Sequence, residues 1–232
     1  MTNLTAGEGE SRVAEKIEAI EDNLPSHMSL AYLPNLGTVR LRLSARGSQE
    51  EQLHADLATY RAKIEAKIGY LVYGYGKKDL AQAIGELLLE KNLTLGTTES
   101  CSGGRIAQML TNNPGSSAYF HGSVVAYDNE IKTRVLGVQS STLAAHGAVS
   151  EATIREMIAG GLSVLGTDLV VATTGIAGPG GGSEEKPVGT IWIAVGNKDR
   201  TEVQLLKAGK DRERNITYTS FQALNLVRRF LA

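Results

Sequence analysis

The sequence is poor in cysteine, and this limits both its covalent and its metal chemistry. Cys101 is the single cysteine among 232 residues, so no disulfide can form within the chain and no cluster of thiolates can bind a metal. A lone thiol is typical of a protein in a reducing compartment. The four histidines follow neither an HExxH spacing nor another paired metal spacing. We therefore expect a cytoplasmic protein with no metal site and no cofactor.

An excess of charge of one sign and a long apolar segment are also missing. Lys and Arg number 24 against 25 Asp and Glu, for a formal net charge of −1, which does not favour nucleic acid or an anionic membrane as a partner. No apolar segment approaches the roughly 18 residues that span a bilayer, and residues 1–7 contain no apolar signal core. Hydrophobic residues at 42% and charged residues at 21% indicate an ordinary globular protein.

The first 74 residues are predicted to form a small two-layer α+β domain. The elements follow an α-β-β-α pattern: a helix after the N-cap Ser11, strands at 30–33 and 37–43, and a helix at 49–68. The segment 70–77 contains Gly74 and Gly76, and we interpret it as a linker between two domains.

Residues 75–232 alternate strands with helices, which is typical of a three-layer α/β/α domain. Strands are predicted at 93–98, 123–127, 168–174, 190–195 and 201–206, the last two as a hairpin around 196–197. Helices are predicted at 79–89, 105–110, from Glu130, at 151–165 after the N-cap Ser150, and from Asp211 onward. The strand at 168–174 is apolar on both faces, as a buried central strand should be. Such folds bind ligands at one edge of the sheet.

The passage from strand to helix at 99–104 is the first candidate for a site. Ser100 lies at the carboxyl end of the strand, and Ser102 is the expected N-cap of the helix. Gly103 and Gly104 allow a ligand to approach the backbone, and a helix start attracts an anion or an oxyanion. The alternative is that both serines only cap the helix.

A glycine-rich segment and one lysine complete the candidates. Six glycines lie between 175 and 189. We interpret this segment as too flexible to pack and predict that it wraps a ligand, the alternative being a surface loop.

Lys132 lies in the first turn of its helix, where the dipole and burial would lower its pKa and make it a base for Ser100. A solvated surface lysine is the alternative. His146 is expected to be structural, and Ser183 with Lys186 is a chance match to a Ser-x-x-Lys motif.

Seven segments of the second block resemble the CinA C-terminal family, in the same order. They are 98–104 (TESCSGG), 114–117 (PGSS), 127–132 (YDNEIK), 137–138 (GV), 146–151 (HGAVSE), 174–179 (TGIAGP) and 182–190 (GSEEKPVGT). The similarity covers essentially all of 77–232. Segments 7–11, 30–34 and 39–43 are similar to the KH-like middle domain of long CinA proteins. Those proteins usually carry a further N-terminal domain that resembles molybdopterin-binding folds, so we expect a shortened form.

The resemblance implies a metal-independent, serine-type amidohydrolase that converts nicotinamide mononucleotide (NMN) and water into nicotinate mononucleotide and ammonia. It implies Ser100 as the nucleophile, Lys132 as the base, and Tyr127 as a group that relays or orients a proton. One glycine-rich turn would form the oxyanion hole and the other would hold ribose and phosphate, in an order that the sequence leaves open. The expected substrate-binding residues are Thr98, Glu99, Ser102, Gly103, Gly104, Arg105, Thr174, Gly175, Gly178, Gly181, Gly182 and Lys186. Family members often have threonine where this chain has Ser102.

There are two alternatives to this function. In the first, the second domain is a regulatory module that binds a pyridine nucleotide without turnover, because catalysis in long CinA proteins is sometimes assigned to the further N-terminal domain. An RNA-binding role for the first domain is disfavoured, since residues 1–74 hold eight Lys and Arg against ten Asp and Glu and no Gly-x-x-Gly loop. A scaffold or dimerisation role is expected there, within a homodimer.

Overall fold

The structure is a computed structural model that describes all 232 residues. The chain divides into two compact units, Met1–Ala83 and Ile84–Ala232. Each unit has a sheet of its own, one of four strands and one of five. None of the helices has both the length and the apolar character needed to cross a bilayer.

The first unit is an antiparallel sheet with helices packed on one face. Its elements are strand β1 (Thr2–Ala6), helix α1 (Glu10–Glu21), strands β2 (Met28–Asn35) and β3 (Thr38–Ala45), helix α2 (Glu50–Ile68), a 3₁₀ turn (Gly69–Leu71) and strand β4 (Val72–Tyr75). The strand order is β2-β3-β1-β4. Val39 and Leu41 alternate along β3 and pack against Ile17 of α1 and Ile64 of α2, because every second side chain of a strand points to the same face.

Two predictions for this unit are wrong. The segment interpreted as a linker contains β4, which pairs antiparallel with β1, and β1 is not among the predicted elements. Both strands are only four or five residues long, which is too short for a strong local pattern, and they pair with each other across about 70 residues of sequence. The first helix begins at Glu10 after the N-cap Gly9, so Ser11 lies inside the helix and is not its N-cap.

The second unit is a mixed five-stranded sheet in the order β6-β5-β7-β8-β9. Helix α3 (Leu80–Glu90) leads into it, followed by β5 (Leu95–Glu99), α4 (Arg105–Thr111), a 3₁₀ turn (Ser116–Ala118), β6 (Phe120–Val125), α5 (Asn129–Leu136), α6 (Ser140–His146), α7 (Glu151–Leu165), β7 (Leu169–Gly175), β8 (Thr190–Gly196), β9 (Thr201–Lys207) and α8 (Arg212–Leu231). Strands β5, β6 and β7 run parallel, whereas β8 and β9 form an antiparallel hairpin.

Helices cover both faces of this sheet, which confirms the three-layer α/β/α architecture. Val170 and Ala172 of β7 pack against Ile154 and Ile158 of α7 in one core. Helices α4 and α8 contact each other and the strands from the other side. Strand β7 is buried from Leu169 to Thr174 and lies at the centre of the sheet, as its apolar sequence predicts.

The three parallel strands bring their carboxyl ends to one edge of the sheet. Ser100 follows β5, the turn into α5 follows β6, and Gly175 ends β7. Residues that are distant in sequence therefore meet at this edge, as the crossover topology requires.

Helix α7 fixes the position of α5 through a glycine. A Cβ atom on Gly160 would overlap the carbonyl group of Leu136, which is the last residue of α5. Because backbone atoms cannot rotate away as a side chain can, only glycine permits this approach. Lys132 lies on α5, so the contact also fixes the helix that carries this lysine.

We expect Gly160→Ala to lower the free energy of unfolding by about 1–3 kcal/mol, the range for overpacking. Alanine at an exposed helical position would instead stabilise the protein by about 1 kcal/mol. Urea denaturation followed by the fluorescence of Trp192, the single tryptophan, measures the difference. Gly180→Ala is the control, since no atom lies within 4 Å of the added Cβ there. A Gly160→Ala protein as stable as this control would contradict the close approach of Gly160 to the carbonyl group of Leu136.

Candidate active site

The fold brings Ser100 and Lys132 into direct contact. The Nζ atom of Lys132 lies 3.2 Å from the Oγ atom of Ser100, although 32 positions separate the two residues in the chain. Both side chains are buried, with 8% of Ser100 and 1% of Lys132 exposed. No bridging water is needed at this distance, which lies at the upper end of the hydrogen-bond range.

The turn between β6 and α5 holds the lysine in place. Its Nζ atom donates to the carbonyl oxygens of Ala126 at 2.8 Å and Tyr127 at 3.2 Å. The carboxylate of Asp128 caps the helix by accepting from the N–H of Glu130 at 2.7 Å. The capped start of α5 turns Lys132 inward, and the strand end that precedes it supplies the two acceptors.

Three oxygens surround Nζ of Lys132, and an uncharged amine can satisfy them as well as an ammonium can. A neutral lysine has two N–H donors and one lone pair, and the two carbonyl oxygens account for both donors. The lone pair is then free to accept the hydroxyl proton of Ser100. Burial lowers the pKa of Lys132 from its ordinary value of 10.5, and the charge of Asp128 opposes this effect as a smaller contribution. The neutral form is therefore more populated than it would be for an exposed lysine.

Cys101, next to the serine, is held as a neutral thiol. Burial raises the pKa of Cys101 to about 12, because an apolar environment disfavours the thiolate. Only the thiolate is a strong nucleophile, so Ser100 is the better candidate of the two adjacent groups.

A buried carboxylate fixes the turn that carries Ser100. Glu99 accepts hydrogen bonds from the N–H groups of Gly104, Ile106 and Ala107 at 2.8–3.1 Å and from the hydroxyl of Ser102 at 2.7 Å. A carboxylate at this position satisfies the free donors of the first helical turn and interacts favourably with the helix dipole. Glu99 has no exposed surface, so we assign it to positioning and not to substrate contact.

The prediction of Ser102 as the N-cap is wrong. Helix α4 begins at Arg105 after the N-cap Gly104, which has a φ of 95°, and the carboxylate of Glu99 performs the capping. Ser102 is 3% exposed, and its hydroxyl also forms a hydrogen bond of 2.6 Å with that of Thr173. The side chain belongs to the internal support of the turn.

Ser100 and Lys132 open onto a cavity of about 230 Å³. Its lining residues include no Asp or Glu, and they are Ser100, Cys101, Tyr127, Asn129, Lys132, Ala148, Val149, Thr174, Gly175, Ala177 and Arg212. Two larger cavities of about 600 Å³ lie elsewhere and contain neither member of the pair. Because the serine and the buried lysine that contacts it line only the smaller one, we place the candidate active site there. No three His, Cys, Asp or Glu side chains are grouped so that they could hold a metal ion.

The predicted site residues divide into two groups. Those that line the cavity are Ser100, Tyr127, Lys132, Thr174 and Gly175. Those that do not line it are Thr98, Glu99, Ser102, Gly103, Gly104, Arg105, Gly178, Gly181, Gly182 and Lys186. Thr98, like Glu99, is completely buried.

The contacts of Tyr127 differ from the expected proton relay. Its phenol oxygen accepts from Nη2 of Arg212 at 2.8 Å, and 60% of the residue is exposed. No hydrogen bond joins the phenol to Ser100 or Lys132. The backbone carbonyl of Tyr127, and not its ring, orients the lysine amine.

The two basic residues expected near the substrate are engaged elsewhere. Arg105 forms an ion pair of 2.8 Å with Glu213, and Nζ of Lys186 donates to the carbonyl oxygen of His146 at 2.7 Å. Arg212, which no sequence motif marks, lines the cavity instead.

The glycine-rich segment is packed at several positions, so its interpretation as too flexible to pack is wrong. A Cβ atom on Gly175 would lie 2.6 Å from Cγ1 of Ile191, and one on Gly178 would lie 2.6 Å from Cγ1 of Val188. One on Gly182 would lie 2.7 Å from the backbone nitrogen of Val188. These glycines allow neighbouring segments to approach closely, whereas Gly180 has open space around it.

The second unit is thus a three-layer α/β domain with a serine and a buried lysine at the carboxyl ends of its parallel strands, beside a pocket lined by no Asp or Glu. A small α+β domain precedes it in the chain. The chain belongs to the CinA family. The CinA C-terminal domain matches residues 77–231, and the KH domain of damage-inducible protein CinA matches residues 3–74.

Similar proteins carry the same family names. CinA-like proteins from Cytophaga hutchinsonii and Chloroherpeton thalassium are 45% and 46% identical to this chain over 98% of its length. The alignments cover 54% and 55% of those proteins, so the chain spans about half the length of the curated relatives it matches.

Solved structures are similar to the larger part of the chain. The competence/damage inducible protein CihA from Agrobacterium tumefaciens is 38% identical, with a TM-score of 0.63, over 64% of this chain and 92% of that one. A CinA superfamily protein from Klebsiella pneumoniae is 34% identical, with a TM-score of 0.64, over 66% and 95% of the two chains.

We compare the free energy of unfolding of wild type with that of a Lys132→Met protein. The difference should change in favour of wild type as the pH rises. The folded state lowers the pKa of Lys132 below 10.5, so between the folded pKa and 10.5 the unfolded chain binds more protons and stability rises with pH. The slope can reach about 1.4 kcal/mol per pH unit. Urea denaturation of both proteins from about pH 7 to 10 measures it.

Lys198→Met is the matched control, because Lys198 is exposed and its replacement should give a difference that does not change with pH. A difference between wild type and Lys132→Met that is flat, or that decreases as pH rises, would show that the lysine is not destabilised in its charged form.

Proposed function

We propose that this chain is an amidohydrolase that hydrolyses the carboxamide of NMN to nicotinate mononucleotide and ammonia, with Ser100 as nucleophile and Lys132 as general base. The observation that carries the proposal is the 3.2 Å contact between the serine hydroxyl and a buried lysine amine at the wall of a cavity. A serine hydroxyl is a weak nucleophile on its own and needs an adjacent base. Membership of the CinA family and the sequence resemblance supply the substrate class.

The geometry supports a two-step reaction. Oγ of Ser100 attacks the carboxamide carbon while its proton moves to Nζ of Lys132. When the tetrahedral intermediate collapses, the C–N bond breaks and the ammonium form of Lys132 returns the proton to the leaving nitrogen, which departs as ammonia. A water molecule then gives a proton to Lys132 and attacks the ester carbon. When the ester bond breaks, Lys132 returns this proton to Oγ of Ser100, which restores the hydroxyl, and the released acid ionises to its carboxylate.

Of the two turns that the sequence left open for the oxyanion hole, the end of β7 has the better support. The N–H of Gly103 donates to the carbonyl of Ser100 and that of Gly104 to Glu99, so both are already engaged. The N–H of Ile176 donates to Thr190 on the β8 side. Because successive N–H groups of a strand point to opposite sides, that of Gly175 points toward β5 and the Ser100 edge.

The alternative is a regulatory module that binds a pyridine nucleotide without turnover. The aligned relatives are almost twice as long as this chain, so they contain a second region in which catalysis could lie. Ammonia release and nucleotide binding, measured on the same protein, separate the two functions.

We expect Ser100→Ala to reduce ammonia release from NMN by about 10³-fold or more, the range for loss of a nucleophile, and to leave NMN affinity nearly unchanged. An enzyme-coupled ammonia assay and isothermal titration calorimetry provide the two measurements. The control is Ser183→Ala in the exposed Ser-x-x-Lys segment, which should keep full activity. A fully active Ser100→Ala protein would refute the assignment of Ser100 as the nucleophile. A wild-type protein that binds NMN without releasing ammonia would support the regulatory module.

A further inference from the structure

A second cavity of the larger unit lies at the end of the sheet opposite Ser100. The loop in front of β5, the start of β7 and the β8–β9 turn meet there, because the amino ends of the parallel strands lie at this edge. Its volume is about 600 Å³, which is within the range of cavities that bind small molecules. We call it the amino-end cavity. It shares no lining residue with the Ser100 cavity, so a ligand here would leave the candidate active site open.

The floor of the amino-end cavity is apolar. Its apolar lining residues are Leu93, Leu162, Leu169, Phe230 and Leu231. The last three are at most 7% exposed, and the first two are half-buried. An apolar body placed on these side chains would remove hydrocarbon surface of both partners from water, which favours binding.

Arg200 is part of the wall and is already engaged. The Cζ atom of its guanidinium lies 4.2 Å from the centre of the Phe230 ring, and Nη2 donates to the carbonyl oxygen of Phe230 at 2.8 Å. The arginine thereby satisfies a carbonyl group at the end of α8. Stacked on the ring, its planar head group extends the wall as a flat surface.

Two lysines at the rim are free to bind an anion. Lys91 and Lys198 line the cavity and are exposed, and no hydrogen bond or ion pair engages either side chain. Of the two lining carboxylates, Asp168 accepts from the N–H and the hydroxyl of Thr94 at 2.8 and 2.7 Å, which leaves Asp199 as the one that is not engaged. Two free ammonium groups against one free carboxylate favour a negatively charged group at the rim.

We propose that the amino-end cavity is a second ligand site, which binds a small organic anion with an apolar body. The body would lie on the leucines and Phe230, and the acidic group would lie between Lys91 and Lys198. An apolar floor with a few polar groups at fixed positions is the usual composition of a small-molecule site, since the floor supplies affinity and the polar groups fix the orientation.

The test uses two fluorescent probes that differ in one charged group. The anionic probe is 1-anilinonaphthalene-8-sulfonate, and the neutral probe is N-phenyl-1-naphthylamine, which has the same rings without the sulfonate. Both become brighter when they leave water for an apolar cavity, so titration gives a Kd for each. The measurement involves no turnover, and its outcome does not depend on the function proposed above.

The variant Lys91→Glu/Lys198→Glu is compared with Lys207→Glu/Lys210→Glu. The control changes the net charge by the same amount at two exposed lysines that do not line the cavity. We expect the first variant to weaken binding of the anionic probe by about ten-fold or more, because two attractive charges become repulsive. The control should keep the wild-type Kd for this probe, and the neutral probe should bind equally to all three proteins.

Four results would overturn the proposal. Wild type that does not bind the anionic probe saturably would have no such site. An unchanged Kd in Lys91→Glu/Lys198→Glu would mean that these lysines do not contact the anion. An equal loss in the control would show an effect of net charge alone, and an equal loss for the neutral probe would show that the substitutions act through the fold.

Discussion

The site depends on the burial of one amine. Lys132 is almost completely inaccessible, and the groups around its nitrogen are two carbonyl oxygens and a hydroxyl, with no carboxylate among its hydrogen-bond partners. Burial penalises the ammonium form, and the three oxygens can also be matched by the two donors and the lone pair of a neutral amine. The ammonium form of Lys132 is therefore destabilised next to Ser100, and this is the condition under which a lysine can act as a base.

The remaining elements serve to keep the serine and the lysine together. Glu99 binds the start of α4 and thereby fixes the turn after β5, while Gly160 allows α7 to reach the end of α5. The parallel order of β6, β5 and β7 brings both turns to the same edge of the sheet as Gly175. Buried polar contacts and close backbone approaches thus hold the reacting groups in position, as preorganised sites require.

The sequence predicts well what depends on local pattern. The apolar run of β7, the hairpin of β8 and β9, and Ser150 as the N-cap of α7 agree with the structure, and the predicted pair of Ser100 and Lys132 is in contact. It predicts poorly contacts that no local pattern marks, whether the partner is near or distant in the chain. The edge strand β4 pairs with a strand at the other end of its domain. The cap of α4 comes from Glu99, five residues before the N-cap Gly104. Arg212 reaches Tyr127 across 85 positions, and no local motif announces that contact.

Nuclear magnetic resonance of the lysine side chain tests the central claim most directly. In protein labelled with ¹³C and ¹⁵N at lysine, the Cε and Nζ signals of Lys132 are identified by their absence from a Lys132→Met sample and followed as a function of pH. The structure predicts that these signals titrate below the ordinary lysine pKa of 10.5, so that neutral amine is present while exposed lysines are still charged. A Lys132 that remains an ammonium up to or beyond pH 10.5 would contradict its role as the base for Ser100.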